Sequence, residues 1–586
     1  MMDNPERVTY FAATDTRGRR APFGIKQKDR ARHMYIIGKT GMGKSTLLEN
    51  MAIQDIQNGE GLGFIDPHGG TVDKLLDYVP EHRVKDVVYF APFDMDHPIA
   101  FNVMEDVGYD KRHLVVSGLM AAFKKIWVDA WSARMEYILT NTLLALLEYP
   151  DATLLSVNRM YTDKTFRKKV VECVKDPVVK DFWTKEFATY TDRYTQEATP
   201  AIQNKIGQFT SNPLIRNIIG QPKSSFDIRQ MMDDRKILIM NLSKGQVGDT
   251  NTQLLGSMLT TRIFLAAISR ADASASELAR LPNFFFYVDE FQNFANETFS
   301  EILSEARKYK LNLTIAHQYV EQMEEEVAAA VFGNVGTTVA FRVGPFDAEK
   351  LETIFTPEFT QEDLVNLGFA QIYLSLMIDG IGSRPFSATT LPPIHPPKRS
   401  FRKEVIASSR EHFGAPRAKI EQMILDELSA AQDAALAEAA SKPPSGPGKK
   451  GQKGGFDRPK KQGSPPPPSR VEPGDLRAAI AALSEKTGAE TAKKAEEKHE
   501  AIASALTAVV PPSSAPAHPG SVQAAPQSER RAAPQKPTPT KEHRAETRKP
   551  REERQAPHEP SLPKSEEKKG FEVPEESLKA VFEDHI

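Results

Sequence analysis

One stretch of the sequence combines glycines, a lysine and hydroxyl residues at a spacing that suits the binding of phosphate groups. Its residues are Gly38, Lys39, Thr40, Gly41, Met42, Gly43, Lys44, Ser45 and Thr46. They fit the pattern G-x-x-x-x-G-K-[ST], in which glycines let backbone N–H groups approach phosphate oxygens and a following helix adds partial positive charge. We therefore predict a nucleotide site, with Lys44 on the β- and γ-phosphates and the Ser45 hydroxyl on Mg²⁺.

Two acidic residues follow a strongly apolar run and supply the second half of such a site. Phe284–Val288 is a series of bulky residues, and Asp289 and Glu290 come directly after it. This pattern indicates a buried central strand with both acids at its carboxyl end, where open α/β sheets bind ligands. We expect Asp289 to hold Mg²⁺ through water and Glu290 to polarise the attacking water. The competing interpretation is a core strand that ends in a solvated acidic turn.

Strands and helices must alternate to position these motifs, and the apolar pattern predicts that they do. The predicted strands are Met34–Ile37, Gly61–Ile65, Val87–Phe90, Lys236–Asn241, Phe284–Val288, Asn312–Ala316, Thr337–Val343 and Gln371–Ile378. Helical periodicity separates most of them, and a predicted helix from Ser45 to Gln57 leaves the phosphate-binding loop. Alternating elements with continuously apolar strands predict an α/β fold, with a mostly parallel β-sheet flanked by helices.

One long stretch interrupts this alternation. From residue 110 to residue 232 only helical periodicity is found, and all three tryptophans lie there. A stretch of this length can form a domain of its own, and the loop and the acids can still meet if it is inserted between strands. The predicted domains are an ATPase core formed by two segments (1–109 and 233–400), an inserted all-α domain (110–232), a helical extension (401–440) and a mostly disordered tail (441–586).

Composition and charge exclude several classes of protein. The formal net charge of the 586 residues is −2, so no overall basic field attracts a polyanion. The single cysteine, Cys173, cannot form an internal disulfide and fits a reducing compartment. No apolar run reaches the ~18 residues of a membrane-spanning helix, and the first residues lack the apolar stretch of a signal peptide. The sequence therefore predicts a cytoplasmic chain.

The tail differs sharply from the rest of the chain. It is rich in Pro, Ala, Lys, Glu and Ser and poor in large apolar residues, which predicts disorder. A basic block between Lys442 and Arg470 suits nucleic acid, acidic lipid or a plain solubilising spacer. Two segments, 475–483 and 573–582, carry helix-start residues and an apolar stripe. We predict that they dock on partner proteins, and that nucleotide hydrolysis survives truncation after about residue 415.

Considered as an ordered set, the motifs resemble those of the HerA/FtsK superfamily of hexameric pumping ATPases, and within it the TraG/TraD-like coupling proteins of type IV secretion systems. The segments that carry the resemblance are Gly38–Thr46, Phe64–Gly69, Asp289–Glu290, Ala306–Gln318, Phe332–Gly344 and the helical stretch. The resemblance covers about residues 25–395. It implies a homohexameric ring of RecA-like P-loop domains that uses ATP and Mg²⁺ to translocate DNA, or a protein–DNA substrate, without sequence specificity.

The resemblance also implies roles for three residues that the motifs alone do not assign. A ring places each nucleotide at a subunit interface, where Arg307 or Arg342 of one subunit would stabilise transition-state charge in the next. Gln318, at a predicted strand end, would contact the attacking water or the γ-phosphate and act as a sensor. Each arginine could instead be a structural ion-pair residue, and the glutamine could face solvent.

One feature of the family is missing from this sequence. Coupling proteins usually carry amino-terminal transmembrane helices, whereas here the phosphate-binding loop begins at Gly38. We therefore expect a cytoplasmic protein that partners recruit peripherally to the inner face of the cell membrane, with adaptor or secretion-machine proteins on its tail. Two alternatives stay open. One is a HerA-like cytosolic DNA-processing pump or a secretion or pilus-assembly ATPase; the other is a nucleotide-gated substrate receptor with little turnover, which would not need Glu290.

Overall fold

The computed structural model describes residues 4–15, 20–295, 297–427 and 429. Its strands are β1 (Val8–Ala13), β2 (Pro22–Lys26), β3 (Met34–Ile37), β4 (Gly61–Asp66), β5 (Val87–Phe90), β6 (Ile237–Asn241), β7 (Phe284–Val288), β8 (Leu311–His317), β9 (Thr337–Ala340), β10 (Gln371–Ser375), β11 (Met377–Ile378), β12 (Ile381–Gly382) and β13 (Phe386–Thr390). Its α-helices are α1 (Gln27–Arg30), α2 (Lys44–Gln57), α3 (Gly70–Leu75), α4 (Arg112–Ile126), α5 (Ala133–Leu147), α6 (Ser156–Thr162), α7 (Lys164–Cys173), α8 (Pro177–Asp181), α9 (Asp192–Thr210), α10 (Pro213–Ile219), α11 (Ile228–Asp233), α12 (Lys244–Val247), α13 (Asp249–Ile268), α14 (Ala275–Arg280), α15 (Glu297–Glu305), α16 (Glu325–Asn334), α17 (Pro345–Phe355), α18 (Gln361–Asn366) and α19 (Arg402–Phe413). A further helical segment covers 417–427.

Eleven of the described strands form one sheet, in the order β2-β1-β13-β10-β9-β3-β8-β7-β4-β6-β5. The seven strands from β9 to β5 run parallel to their neighbours. The strands from β10 to β2 are added antiparallel. The fold is therefore α/β with a mostly parallel sheet flanked by helices, as predicted. Strands β1, β2, β12 and β13 are absent from the sequence prediction. Strands β2, β12 and β13 are short and partly exposed and give a weak apolar pattern. Strand β1 has no exposed residue, and it joins the sheet through antiparallel pairs with β2 and β13.

Two predicted strands end earlier than their apolar pattern suggests. β9 stops at Ala340. The Phe341 N–H still donates to the Ile37 carbonyl of β3 at 2.8 Å, but the next bond is to the phosphate-binding loop, where the Lys39 N–H donates to the Arg342 carbonyl at 2.8 Å. The last predicted strand divides into β10 and β11. At the break the Leu376 N–H donates to the Ser383 hydroxyl at 3.0 Å instead of to a strand. After β9 a loop residue, and after β10 a side chain, thus takes the place of a partner in a neighbouring strand.

Helices α4–α11 fill the stretch between β5 and β6, which is helical as its periodicity indicates. They share one hydrophobic cluster with one face of the sheet, in which Phe123, Ile138 and Phe209 come from helices and Val88 and Leu238 from strands. Helices α2 and α3 cover the opposite face through a second cluster. The phosphate-binding loop therefore lies on a sheet that is packed on both sides, while the division of the chain into domains stays a prediction.

One helix of the described residues, Asp249–Asp272, is long and apolar enough to cross a membrane, and 72% of its apolar window is buried inside the protein. It consists of α13 and the turn that follows. Helix α4 lies directly against it, since a Cβ atom added at Gly118 would lie 2.3 Å from the Thr261 Cγ2 atom. In this fold α13 is a core helix between the sheet and the other helices.

The helical segment after α19 packs on the all-α region. Ile420 and Ile424 are buried there, and Nη1 of Arg159 lies 3.0 Å from Oε1 of Glu427. A truncation after about residue 415 would remove these contacts. A test of the tail is therefore better served by truncation after residue 429, the last residue that the structure describes. The predicted docking segments 475–483 and 573–582 lie outside the described residues.

A buried ion pair ties the helix of the phosphate-binding loop to the strand that precedes the acids. The Arg30 guanidinium donates to both carboxylate oxygens of Asp55 on α2, at 2.7 and 2.9 Å. It also donates to the Tyr287 hydroxyl on β7 at 2.7 Å, and that hydroxyl donates to Asp55 at 2.5 Å. The guanidinium lies 3.7 Å from the centre of the Phe285 ring. Each charge is thus paired and hydrogen-bonded, which a buried charge requires.

Candidate active site

The phosphate-binding loop connects β3 to α2, with Gly38–Gly43 in the loop and Lys44–Thr46 in the first turn of the helix. Gly43 has φ 113°, a backbone conformation that residues with a Cβ atom rarely adopt. Gly38 needs its missing side chain for another reason, because a Cβ atom there would lie 2.5 Å from the Phe341 Cβ atom. Glycine at both positions is therefore a requirement of this backbone and of its close packing.

Lys44 turns back over the loop that carries it. Its Nζ atom donates to the Gly38 carbonyl at 2.6 Å and to the Lys39 carbonyl at 3.3 Å. Burial lowers the pKa of Lys44, and the nearby carboxylates of Glu290 and Asp289 oppose that shift. The side chain is thus a buried cation held by two neutral carbonyl groups, a position from which it can exchange those acceptors for phosphate oxygens.

The two predicted acids reach the loop because β7 ends at the same edge of the sheet as β3. Ser45 donates its hydroxyl hydrogen to Oδ2 of Asp289 at 3.1 Å, although the residues are 244 positions apart in the chain. Burial raises the pKa of Asp289 to about 6, and the charges of Asp66 and Glu290 add to that effect. A hydroxyl and a carboxylate oxygen therefore converge here, and both are ligand types that Mg²⁺ prefers.

Asp66 ends the neighbouring strand β4 and is a third carboxylate at this edge of the sheet. Its oxygens accept the backbone N–H groups of His68 at 2.7 Å, Thr71 at 2.9 Å and Val72 at 3.4 Å. Three backbone donors thus hold this carboxylate at the start of α3. Its observed contacts shape the loop between β4 and α3, and its charge acts on Asp289 only from a distance.

Glu290 is held in one orientation by two amide side chains. Gln292 donates to its Oε2 atom at 2.7 Å, and Gln318 donates to its Oε1 atom. Its backbone is left-handed, with φ 49° and ψ 51°, a conformation that is uncommon outside glycine. Its N–H donates to the side chain of Asp289 at 2.9 Å. The left-handed turn directs the carboxylate along the sheet edge toward the end of β8.

Gln318 connects the phosphate-binding loop to Glu290. It follows the last residue of β8, the strand that lies between β3 and β7. While its Nε2 atom donates to Glu290, its Oε1 atom accepts the Thr40 hydroxyl at 2.9 Å. The glutamine is thus in contact with both motifs and does not simply face solvent. The signalling role that the family resemblance implies for it stays a prediction.

The two candidate arginines lie at opposite ends of the strands. Arg307 is exposed in a turn before β8, at the amino edge of the sheet beside His33. Arg342 follows β9 at the carboxyl edge, where its carbonyl accepts the Lys39 N–H at 2.8 Å. Within the described residues of the chain neither guanidinium forms a hydrogen bond or an ion pair. Only Arg342 therefore lies near the phosphate-binding loop of its own subunit.

His317, to which the sequence motifs assign no role, lies beneath the loop. Its carbonyl accepts the Gly38 N–H at 3.3 Å, and its Nδ1 atom lies 3.3 Å from the Tyr35 hydroxyl. Burial lowers the pKa of His317 to about 3, and the charges of Lys44 and Lys125 contribute. The imidazole is therefore neutral at physiological pH and supports the loop by packing. In the sequence, the position of His317 next to Gln318 at a strand end could have indicated that it lies near the site.

The loop, the adjacent acids and the glutamine between them define a P-loop NTPase. Within that class the chain belongs to the coupling proteins of type IV secretion systems, because the family described as "Type IV secretion-system coupling protein DNA-binding domain" matches residues 20–361. The resemblance seen in the motifs is confirmed at this level. The chain is thus a P-loop NTPase of the type IV secretion and conjugation machinery.

Three solved structures illustrate what the chain is similar to. The plasmid coupling protein TrwB in complex with ADP and Mg²⁺ has 14% identity and a TM-score of 0.49, over 67% of this chain and 91% of that chain. The unbound monoclinic form of the bacterial conjugative coupling protein TrwBdeltaN70 has 13% identity and a TM-score of 0.48, over 67% and 90%. VirB4 of Thermoanaerobacter pseudethanolicus has 13% identity and a TM-score of 0.41, over 69% and 99%. No curated protein sequence matches the chain.

Proposed function

We propose that this chain hydrolyses ATP and uses the energy to move DNA, or DNA with an attached protein, toward a type IV secretion channel. The observation that carries the proposal is the contact chain from Thr40 through Gln318 to Glu290, next to the Ser45–Asp289 pair. A protein that only binds nucleotide has no need of a carboxylate oriented at both oxygens beside the phosphate-binding loop. The geometry thus supports turnover over the receptor alternative.

The residues of the site fit a magnesium–nucleotide complex. Lys44 is a cation whose present acceptors are loop carbonyls, and the oxygens of Ser45 and Asp289 lie 3.1 Å apart. We propose that Lys44 holds the β- and γ-phosphates and that Ser45 and Asp289 hold Mg²⁺, the latter through water. When bound, Mg²⁺ neutralises the charge of the phosphate groups.

Glu290 is the group that we assign to the attacking water. Gln292 and Gln318 orient its two oxygens, and the side chain is almost completely buried. A fixed carboxylate in a water-poor site loses little energy to reorganisation, and general-base help of this kind typically contributes about 10²–10⁴ in rate. Because Gln318 also contacts Thr40, a change at the loop would be transmitted directly to Glu290.

We further propose that the chain assembles into a homohexameric ring with nucleotide sites between subunits. Arg307 is exposed and remote from the loop of its own subunit, which suits a group that completes the site of a neighbour. Arg342 lies beside the loop of its own subunit and suits a contact within that subunit. An arginine acting across an interface contributes roughly 10³–10⁵ in rate in known NTPases. We therefore place Arg307 first for the trans role.

The family description names DNA binding, and we propose that this chain binds DNA through its backbone, without sequence specificity. We also propose that it works at the cytoplasmic face of the cell membrane and contacts the membrane only through partners. Adaptor or secretion-machine proteins would recruit it through the tail at 441–586, which lies outside the described residues. Truncation of the tail should therefore abolish recruitment and preserve hydrolysis.

Steady-state ATPase measurements test the proposed function. Wild-type protein is compared with Lys44→Ala and Glu290→Gln, without polymer, with single-stranded DNA and with double-stranded DNA. We expect Lys44→Ala to abolish hydrolysis and to weaken nucleotide binding, because it removes the main charge on the phosphates. Glu290→Gln should bind Mg-ATP normally but turn over at least ~10²-fold more slowly.

Matched controls come from an exposed pair on α7. Lys168→Ala and Glu172→Gln remove the same groups at side chains that are 80% and 65% exposed, and neither should change the rate. Normal hydrolysis by pure Lys44→Ala would remove the nucleotide-site assignment. If the wild-type protein instead binds Mg-ATP and shows no Glu290-dependent turnover with or without DNA, that result would favour the nucleotide-gated receptor.

A further inference from the structure

A lysine from the helical stretch holds the loop that follows Glu290. Lys125 lies near the end of α4, and its Nζ atom donates to the Gln292 carbonyl at 2.6 Å and to the Ala295 carbonyl. These two carbonyls belong to the turn that begins at Phe291, directly after the carboxylate. One side chain from a distant helix therefore spans the turn that carries the reactive acid.

The Lys125 contact is half-buried. Burial lowers the pKa of Lys125 to about 8, and the charge of Glu324 only partly opposes this. An ammonium group is removed from water only at a cost unless good acceptors replace the solvent. The carbonyls at the end of a helical turn lack partners within the turn and are favourable acceptors for a cation. The contact therefore gives the Lys125 ammonium group two acceptors and gives the carbonyls of Gln292 and Ala295 a cationic donor.

Gln292 joins Lys125 to Glu290 through a single residue. Its backbone carbonyl accepts from Lys125, and its side-chain amide donates to Oε2 of Glu290 at 2.7 Å. A second cation steadies the same turn, since Lys244 donates to Oδ1 of Asn293 at 2.8 Å. Lys125 therefore helps to fix the position of the turn, and with it the position of the Gln292 amide that orients Glu290.

Helix α4 gives Lys125 a fixed position. At Gly118 the helix approaches α13 so closely that a Cβ atom would lie 2.3 Å from the Thr261 side chain. At its carboxyl end Phe123 and Trp127 stack with ring centres 5.3 Å apart, and Trp127 lies 5.3 Å from Phe209 on α9. The lysine thus extends from a helix that is packed at its middle and at its carboxyl end.

We propose that Lys125 is a positioning residue for hydrolysis, which fixes the orientation of the Glu290 carboxylate through the turn at Gln292. This inference rests on the proposed function, because it assigns Glu290 to the attacking water. It adds that the helical stretch supplies a component of the hydrolytic site. Lys125 touches neither the phosphate-binding loop nor the atoms that react. Its effect should therefore fall on kcat rather than on nucleotide binding.

The test is a steady-state ATPase comparison of Lys125→Met, Lys125→Arg and wild type in the full chain. Methionine keeps the length and the apolar stem but has no donor, whereas arginine can donate to both carbonyls. Lys168→Met, at a side chain that is 80% exposed, controls for the loss of a positive charge in the helical stretch. Binding of a fluorescent ATP analogue and thermal unfolding confirm that each variant is folded.

We expect Lys125→Met to lower kcat by ~10-fold or more, since small misplacements of a catalytic group are costly. KM for ATP and the Kd of the analogue should change by less than ~3-fold, and Lys125→Arg should retain most of the wild-type kcat. In a Glu290→Gln background Lys125→Met should cause little further loss, because its effect passes through the missing carboxylate.

Each other outcome overturns the inference. A wild-type kcat in Lys125→Met shows that the turn does not need the lysine. An equal and additional loss in the Glu290→Gln background shows that the lysine acts elsewhere, and a rise in KM without a fall in kcat shows a binding role. A wild-type rate that does not depend on Glu290 refutes the proposed function first, and this inference with it.

Discussion

The buried imidazole of His33 leads to a prediction about stability whose size can be worked out from the structure. His33 is completely buried before β3, and its Nδ1 atom accepts the Leu313 N–H at 3.1 Å. Burial, reinforced by the charge of Arg307, lowers the pKa of His33 from 6.5 to about 4. The folded protein therefore keeps this side chain neutral at a pH where the unfolded chain protonates it.

The sign of the effect follows from proton binding. Below pH 6.5 the unfolded chain takes up a proton on His33, whereas the folded chain does so only near pH 4. Stability is therefore full above pH 6.5 and is lost as the pH falls through this range. With these two pKa values the loss between pH 7 and pH 5 is about 2 kcal/mol, and it approaches about 3 kcal/mol at lower pH.

His33→Asn removes the titration while it keeps the local structure. Asparagine tolerates the left-handed backbone at this position, where φ is 62°, and its Oδ1 atom can accept the Leu313 N–H. Urea unfolding of wild type and variant is measured at pH 7 and pH 5, with exposed His82→Asn as the control. We expect wild type and the control to lose about 2 kcal/mol more than His33→Asn. Equal losses in all three proteins would refute the reasoning.

The other predictions concern the buried pair, the ring and the tail. Asp55→Ala should lower the free energy of unfolding by about 3–5 kcal/mol because it leaves the buried Arg30 guanidinium without its carboxylate. Glu172→Ala, in an exposed pair, should cost less than about 1 kcal/mol, and urea unfolding compares the two variants. Mixing Arg307→Ala subunits with Lys44→Ala subunits should restore some of the ATPase activity, and no recovery at any ratio, with rings present, would exclude the trans role. Truncation after residue 429 should preserve hydrolysis and ring assembly but abolish membrane recruitment in fractionated cells; loss of hydrolysis in a folded truncated protein would assign the tail to the motor.

The class of protein, and the residues of the phosphate-binding loop and the adjacent acids, could be predicted from the amino-acid sequence alone. The phosphate-binding loop is a local structure, because its backbone depends on glycines at fixed spacing, and Lys44 and Ser45 follow from it. The strand before Asp289 and Glu290 could also be predicted, because a strand that is buried on both faces needs an uninterrupted apolar run. All eight predicted strands are present in the structure, although the strand predicted for Thr337–Val343 ends at Ala340 and the one predicted for Gln371–Ile378 divides into two.

Which of these groups meet was settled by tertiary packing and could not be predicted. Periodicity reports which side of a strand is buried, but it does not report which strand lies next to it. The order β3-β8-β7 is what places Gln318 between Thr40 and Glu290. The approach of Lys125 to the turn after Glu290 depends on how α4 packs against α13. Such contacts join residues far apart in the chain, and their hydrogen bonds exist only after the hydrophobic core has fixed both partners in place.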